Sequence, residues 1–511
     1  MSITSVFFLL FVVAGLIVYY LIPRRFQWIW LLILSIFFYY NSDSFISILY
    51  LVGASSVAYI ATMISLKYKK DSLSKIPFFA TVVAVVLIVL TWFIVKGRGL
   101  WEIVLIKLNG GTSPIQDIRF IAALGMGYYT LQLTGYVVDC YWESIKPQKN
   151  PLKLFLFTAY FPQLITGPIS TYNQLESLFE GHRFDYDNIA LGAQRVLWGF
   201  VKKIVLAGRV GIIVNAITTF TDTYTGFYSW IAILLYPVQM YADFSGCMDI
   251  VLGVSEMFGI KLPENFNNPF FARTSQEFWQ RWHITLGVWA KNYVLYPILK
   301  SPLLLKLNKY LQKHFSKKTG KLIVTSVGMF FLWMVIGVWH GGLRYIVGVS
   351  LWYWIILMLG DICSPMFSKI NGKLGFKTDS FSWHFFQSAR TYLIYATGAM
   401  FFCLGVERGL FVITNALKTL FIKEYCNPWV LFDGSITTIV SLPDINVIII
   451  AVIMMIIVGV LREKYGYART WIKSQGFIFR WGIWLGLLLF VVVWGMYGPG
   501  YDASEFIYKG F

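Results

Sequence analysis

Apolar residues fill residues 4–22, 27–41, 45–66 and 76–95 almost without interruption, and polar side chains are confined to the joints between these blocks. A helix rises 1.5 Å per residue and needs about 20 residues to cross the hydrocarbon of a bilayer. Each block therefore predicts a membrane-spanning helix. A further block covers 120–141, and two more lie near the end, at 445–461 and 481–497. The runs "LIVTSVGMFFLWMVI" (322–336) and "YIVGVSLWYWIILML" (345–359) frame a short polar island, "GVWHGG" (337–342). From 153 to 300 the pattern breaks, with "GPIS", "DFSG", "KLPENFNNPF" and "EFWQRWH" interrupting shorter apolar stretches. Irregular backbone at membrane depth is tolerated only where protein buries it or it lines a wet cavity. Short, tilted or re-entrant helices around an interior recess are expected there. The expectation is an all-α polytopic membrane protein with one integral domain over residues 1–511, without internal repeats.

Composition strengthens this picture. The 511 residues are 57% hydrophobic and 13% charged, against about 25% charged in an average soluble domain. The net charge of +18 raises a nucleic-acid reading, but its distribution argues against one. The cations sit between apolar runs, in "RR" (24–25), "KYKK" (67–70), "KLNKYLQKHFSKKTGK" (306–321) and "REKYGYARTWIKSQGFIFR" (462–480). That is the positive-inside pattern, reinforced by anionic lipid headgroups. Arg24 and Arg25 then place the first loop in the cytoplasm and the N-terminus outside. The loops 67–75, 143–153 and 462–480 also face the cytoplasm, "KGRG" (96–99) violates the rule, and the terminal "YGPGYDASEFIYKGF" lies outside. The first 25 residues lack a basic leader and a small-residue cleavage site, so they are expected to remain as a span. Five scattered cysteines without CxxC spacing predict neither a disulfide framework nor a zinc site, and read as apolar packing residues.

Five histidines carry the candidate chemistry. His182 and His314 lie in polar stretches and are expected to be solvated, while His384, in "FSWHFF", reads as structural or interfacial. The segment "RTSQEFWQRWHITLGVWAKNY" (273–293) opens with a capping box, Thr274 to Glu277. A helix continuing from it would pair Glu277 with Arg281 and put Trp279 and His283 on one stripe. His283 is then either a hydrogen-bonded core residue or part of a site. His340 is flanked by Trp339 and by Gly337, Gly341 and Gly342, which allow backbone or substrate to approach closely. Ionisable groups in membrane segments are rare and usually functional, and an imidazole is suited to taking and returning a proton at neutral pH. A satisfied core histidine is the alternative. No GxSxG, HExxH or phosphate-binding loop occurs, and no Cys/His cluster completes a metal site.

"GVWHGG" resembles the histidine motif of the membrane-bound O-acyltransferase superfamily. Further stretches match in order: "GMGYYTLQLTGYVVDCYW" (125–142), "YFPQLITGPIS" (160–170), "YADFSG" (241–246), "LPENFNNPFFARTSQEFWQRWHITLGVW" (262–289) and the terminal "FIYKGF". Within the superfamily the chain is similar to the bacterial branch of alginate and cell-wall polysaccharide O-acetyltransferases and the teichoic-acid D-alanylation protein. It departs from that pattern at Leu124, where a proline is expected, and at Ala290-Lys291-Asn292, where "FRD" is expected.

The resemblance implies a ring of helices around a thin core, with an outer funnel and a cytoplasmic tunnel meeting near His340. It implies His340 as the catalytic base and His283 as a supporting polar residue. Trp339, Gln163, Asp243, Glu264, Asn265, Arg281 and Trp282 are candidates for lining the substrate path. The terminal F-x-Y-x-x-F pattern implies that Tyr508 carries the acyl group in transit; the alternative is a tyrosine anchoring an interfacial tail. A phenol, with pKa near 10, ionises far more readily than an alkyl alcohol, so a histidine can activate it, while Phe506 and Phe511 could dock the tail. No bound cofactor is implied. The acyl donor would be a thioester, acetyl-CoA or an acyl carrier protein. An extracytoplasmic SGNH-hydrolase-like acyltransferase would pass the group to a polysaccharide. The expected setting is a bacterial plasma membrane with both termini outside. D-alanyl transfer to teichoic acid remains open, as does, from another class, a proton-coupled transporter or flippase.

Overall fold

A computed structural model describes residues 1–68, 74–110, 123–431 and 434–497. Among these the chain is helical, and the one extended pairing is an isolated antiparallel bridge between Phe266 and Trp282. Among the described residues, seven helices are long and apolar enough to cross a membrane: Phe45–Tyr68, Ile76–Lys96, Lys317–His340, Leu343–Lys373, Phe381–Lys418, Leu442–Tyr465 and Phe477–Trp494. This is a multi-pass membrane protein of the all-α class.

Several predicted spans take a different form. Helices Val6–Leu21 and Gln27–Ser42 have 16 residues each, about 24 Å at 1.5 Å per residue and short of the ~30 Å hydrocarbon. Pro23 and the 3₁₀ turn Arg24–Phe26 end the first of them early. Helix Met126–Tyr141 is buried along nearly its whole length, so its apolar residues face protein and not lipid. The 153–300 region does contain short helices, including Pro151–Ala159, Phe161–Leu164, Ser275–Arg281 and Ile284–Ala290. Helix Phe227–Met257 is the exception. It runs 31 residues through Pro237 and the "DFSG" expected to interrupt it.

The described residues group into two compact units. One comprises 1–205, 243–264 and the segment from 466 onward. Within it, Gly192 lies against Gly253 and Met257, and Gly199 against Gly246 and Ile250; a Cβ on Gly192 would come 2.5 Å from the Gly253 carbonyl oxygen. Glycines here let two backbones touch, and charged side chains bracket the contact. Arg195 bonds Asp249 at 3.0 Å and both oxygens of Glu264 at 2.7 Å. Lys202 reaches Asp249 at 2.6 Å, and Lys203 pairs with Asp243. Both lysines lie on a π-helical segment, Val201–Ala207. Buried charges survive only when paired in this manner.

The same unit corrects the reading of His182, which is not solvated. Its Nδ1 lies 2.8 Å from the Tyr19 hydroxyl, its backbone N–H donates to Gln27 Oε1 at 2.7 Å, and Gln27 Nε2 donates to its carbonyl at 3.1 Å. The "EGHRFD" segment is thereby clamped to the turn after the first helix.

The second unit comprises 206–242 and 265–465. Helix Lys317–His340 packs there against the π-helical segment Ile346–Leu351 and against Pro302–His314. Helix Phe381–Lys418 bends at Gly405, whose φ of 80° breaks the helical ladder. His314 is exposed, as expected, and His384 meets the Arg273 guanidinium at 3.1 Å on the surface. All five cysteines are free; Cys140 and Cys247 are buried, whereas Cys426 is exposed and does not act as a packing residue.

Candidate functional site

The second unit gathers the two central histidines. His340 is the last residue of helix Lys317–His340 and is buried. The chain leaves it through Gly341 (φ 83°) and Gly342 (φ 79°), conformations that a side chain would strain. A Cβ on Gly341 would meet nothing within 4 Å, so its left-handed backbone, and not crowding, is what favours glycine there. Gly337 serves another purpose. It faces Ser350, whose hydroxyl donates to the Trp333 carbonyl at 2.6 Å and locks the helix onto the segment that follows the motif. The His340 ring sits among Trp339 (centroids 4.9 Å apart), Tyr345 (5.9 Å) and Phe402 (6.0 Å). Arg344 donates to the Tyr345 hydroxyl at 2.6 Å and fixes that ring.

His283 reaches the same place by a different route from the expected one. The helix that begins at Ser275 stops at Arg281, Trp282 is extended, and His283 takes φ 46° before a new helix starts at Ile284. No single helical stripe carries Trp279 and His283. A non-glycine residue at positive φ persists only where its surroundings hold it, and residues 265–267 do so. Ile284 N–H donates to the Asn265 carbonyl at 3.0 Å, Asn267 N–H to the Arg281 carbonyl at 2.9 Å, and Phe266 bridges to Trp282. Trp339 lies edge-on to His283, centroids 6.2 Å apart, so one indole touches both imidazoles.

The remaining candidates divide. Asn265 is buried beside His283. Trp282 is buried as well, stacked on Phe278 at 5.7 Å and edge-on to Phe266 at 5.1 Å, a packing position below the corner. Arg281 is tied to Glu277 at 2.8 Å and to Glu463 at 2.6 Å, which realises the predicted pair. The capping box forms with a shift: Thr274 accepts from Glu277 N–H at 3.1 Å, but the Glu277 carboxylate bonds the N–H of Arg273 instead of that of Thr274. Gln163, Asp243 and Glu264 belong to the other unit. Asp243 and Glu264 serve ion pairs there, and Gln163 Nε2 donates to the Phe157 carbonyl at 2.8 Å. Tyr508, with Phe506 and Phe511, lies outside the described residues. Pattern reading did not single out Tyr345, Phe402, Thr285 or Ser350. Tyr345 follows the motif closely enough to have been noticed, whereas Phe402 is far along the chain and carries no local signal.

No group of three or more His, Cys, Asp or Glu side chains able to hold a metal occurs among the described residues. Two neighbouring imidazoles, both buried, suit proton abstraction from a hydroxyl.

The sequence pattern of the membrane-bound O-acyltransferase family matches residues 35–406, well over half of the chain. The chain belongs to this family. As an O-acyltransferase it has relatives with several acceptors. It is 27% identical over 404 residues to the probable alginate O-acetylase AlgI of Pseudomonas syringae pv. tomato, covering 78% of this chain and 71% of that protein. A peptidoglycan O-acetyltransferase of Helicobacter pylori is 29% identical over 256 residues, 45% of each chain. The teichoic acid D-alanyltransferase of Bacillus subtilis is 26% identical over 260 residues, 50% of this chain and 62% of the other. Alignments with the last two thus span about half to two thirds of the relative's length.

Proposed function

We propose that this O-acyltransferase takes an acetyl group from a cytoplasmic thioester, acetyl-CoA or an acyl carrier protein, and commits it to O-acetylation of an extracellular or cell-wall polysaccharide. The observation that carries the proposal is the buried pair His283 and His340, joined through Trp339 within one compact unit. His340 acts as the general base. Its imidazole accepts the proton of an entering hydroxyl, the hydroxyl oxygen bonds to the thioester carbonyl carbon, and the C–S bond breaks. The imidazolium then returns its proton to the departing thiolate, so ester and free thiol leave together. A positioned base of this kind supplies about 10²–10⁴ in rate.

The first hydroxyl is assigned to Tyr508, whose phenyl ester retains transfer potential for a second step on the outer face. There an SGNH-hydrolase-like acyltransferase would deliver the group to the polymer. The proposed setting is a bacterial plasma membrane, with both termini outside. The D-alanyltransferase relatives favour a second reading, D-alanyl transfer to teichoic acid; identifying the group released from the protein by mild base separates the two.

The test is acyl transfer from radiolabelled donor by purified protein in detergent. His340→Ala should reduce transfer by 10²–10⁴ with unchanged extraction and elution. Full activity in that variant would remove His340 from the chemistry, and absence of transfer in the wild type with every donor would favour a transporter.

A further inference from the structure

Asn265 presents one oxygen to three donors. Its Oδ1 lies 2.9 Å from the Thr285 hydroxyl, 3.1 Å from the Thr285 backbone nitrogen and 3.3 Å from His283 Nδ1. The backbone N–H of Thr285 can only donate, so the amide atom facing it is the oxygen and the flip of Asn265 is settled by the chain itself. An imidazole nitrogen facing that same oxygen must carry a hydrogen, because two lone pairs would otherwise oppose each other. The neutral His283 ring therefore holds its proton on Nδ1, which makes Nε2 an acceptor. Asn265 and His283 are both buried, at 1% and 4% exposure, so water does not compete for the arrangement. The backbone adds rigidity: Ile284 N–H donates to the Asn265 carbonyl, and His283 is held at φ 46°.

We propose that Asn265 is a positioning residue, not a wall of the substrate path, and that it fixes His283 as the Nδ1–H tautomer so that Nε2 accepts a hydrogen bond in the acyl-transfer site. Thr285 is its partner in this role, holding the amide in place with two bonds while His283 supplies the third contact. The inference rests on the reading of His283 and His340 as the reactive pair. The accepting Nε2 orients a hydroxyl or an imidazolium proton during transfer, which the opposite tautomer, offering N–H there, cannot do.

The test is nitrogen NMR of the full-length protein in nanodiscs, labelled with ¹⁵N-histidine and assigned with His283→Gln. Wild-type His283 should show a protonated Nδ1 and a bare Nε2. Asn265→Ala should mix or invert the tautomers and lower kcat at least tenfold with little change in the donor KM. Asn265→Asp keeps an acceptor in place and should restore the tautomer and much of the rate. Thr285→Val retains Asn265 and should preserve the tautomer more fully than Asn265→Ala, which guards against a variant that merely misfolds. A wild-type ring protonated on Nε2, or a tautomer unmoved in Asn265→Ala, would overturn the proposal. If instead the tautomer shifts as described while His283→Gln and His340→Ala keep full activity, the positioning stands and the assignment of the reactive pair falls.

Discussion

Gly337→Ala is the sharpest test of how the histidine motif is held. A Cβ at Gly337 would lie 1.9 Å from Ser350 Oγ, 3.1 Å from the Tyr345 carbonyl oxygen and 3.2 Å from Ile346 Cα. The first contact is about 1.5 Å short of van der Waals separation, too much for bond bending to absorb. Two of the three atoms are backbone or its carbonyl, so Ser350 must rotate away and the segment after the motif must shift. Rotation breaks the hydroxyl's bond to the Trp333 carbonyl and leaves a buried hydroxyl unsatisfied, worth about 1–3 kcal/mol. Overpacking adds about 1–3 kcal/mol, while alanine's better helix propensity returns about 1 kcal/mol. The net destabilisation is about 1–5 kcal/mol, located one turn before His340. A displacement of the order of 1 Å at a reacting group reduces rate about 10²-fold. Ser350→Ala removes the offending atom together with its bond to the Trp333 carbonyl, at a net cost of about 0.5–1.5 kcal/mol. The double variant Gly337→Ala/Ser350→Ala should then recover most of both losses. Apparent melting temperature in detergent and kcat/KM for acyl transfer, measured on all four proteins, give the coupling. A Gly337→Ala protein indistinguishable from wild type would refute the packing argument, as would a double variant no better than the single one.

Arg195→Met removes one cation from Asp249 and Glu264 inside the first unit and should destabilise the protein by about 3–5 kcal/mol, read as lost thermal stability and poorer recovery on extraction; an unchanged melting temperature would mean these bridges are solvated and contribute nothing. Burial holds the His182 imidazole below its ordinary value, with Glu180 partly opposing. The unfolded segment therefore takes up a proton first as pH falls through about 6.5, so its clamp is strongest above that pH and weakens below it. Trypsin cleavage after Arg183, normalised at each pH to the urea-denatured protein, should accelerate from about pH 7 to about pH 5.5 in the wild type and not in His182→Gln; equal acceleration in both assigns the effect to a group other than His182. Tyr508→Phe should stop delivery to polymer and abolish base-labile label on the protein, and normal delivery in that variant would end the relay while leaving the His340 step intact.

Local and non-local determinants explain what could be read from the chain alone. Long apolar helices declare themselves, because most residues of Ile76–Lys96 and Leu442–Tyr465 are apolar and unburied by protein. Helix Met126–Tyr141 is as apolar in places, yet its surroundings are protein, and hydropathy does not distinguish the two environments. His340 was legible because its glycines, indole and helix end are adjacent in sequence. His283 was not. The spacing from Trp279 suggested one continuous helix, and the break at Trp282–His283 is enforced by Asn265 and Phe266 from a preceding segment. The partner of Gly337 is equally invisible locally, since Ser350 returns to it across an intervening turn.

The two imidazoles sit at opposite ends of helices, which bears on the tasks proposed for them. His340 closes helix Lys317–His340, where the carbonyl end carries partial negative charge and favours a nearby cation by up to about 2 kcal/mol in partly buried geometries. His283 precedes helix Ile284–Ala290, whose amide end carries partial positive charge and disfavours a cation there. On the proposed mechanism, the helix ends alone thus favour holding a proton from a hydroxyl on His340 relative to His283, against the burial that both rings share. The direct Nδ1 contact with Asn265 Oδ1 uses one face of His283 and leaves its role to the other nitrogen. Exchanging the proposed roles would place an imidazolium at the positive end of helix Ile284–Ala290, which that end opposes, and would forgo the favourable negative end beside His340.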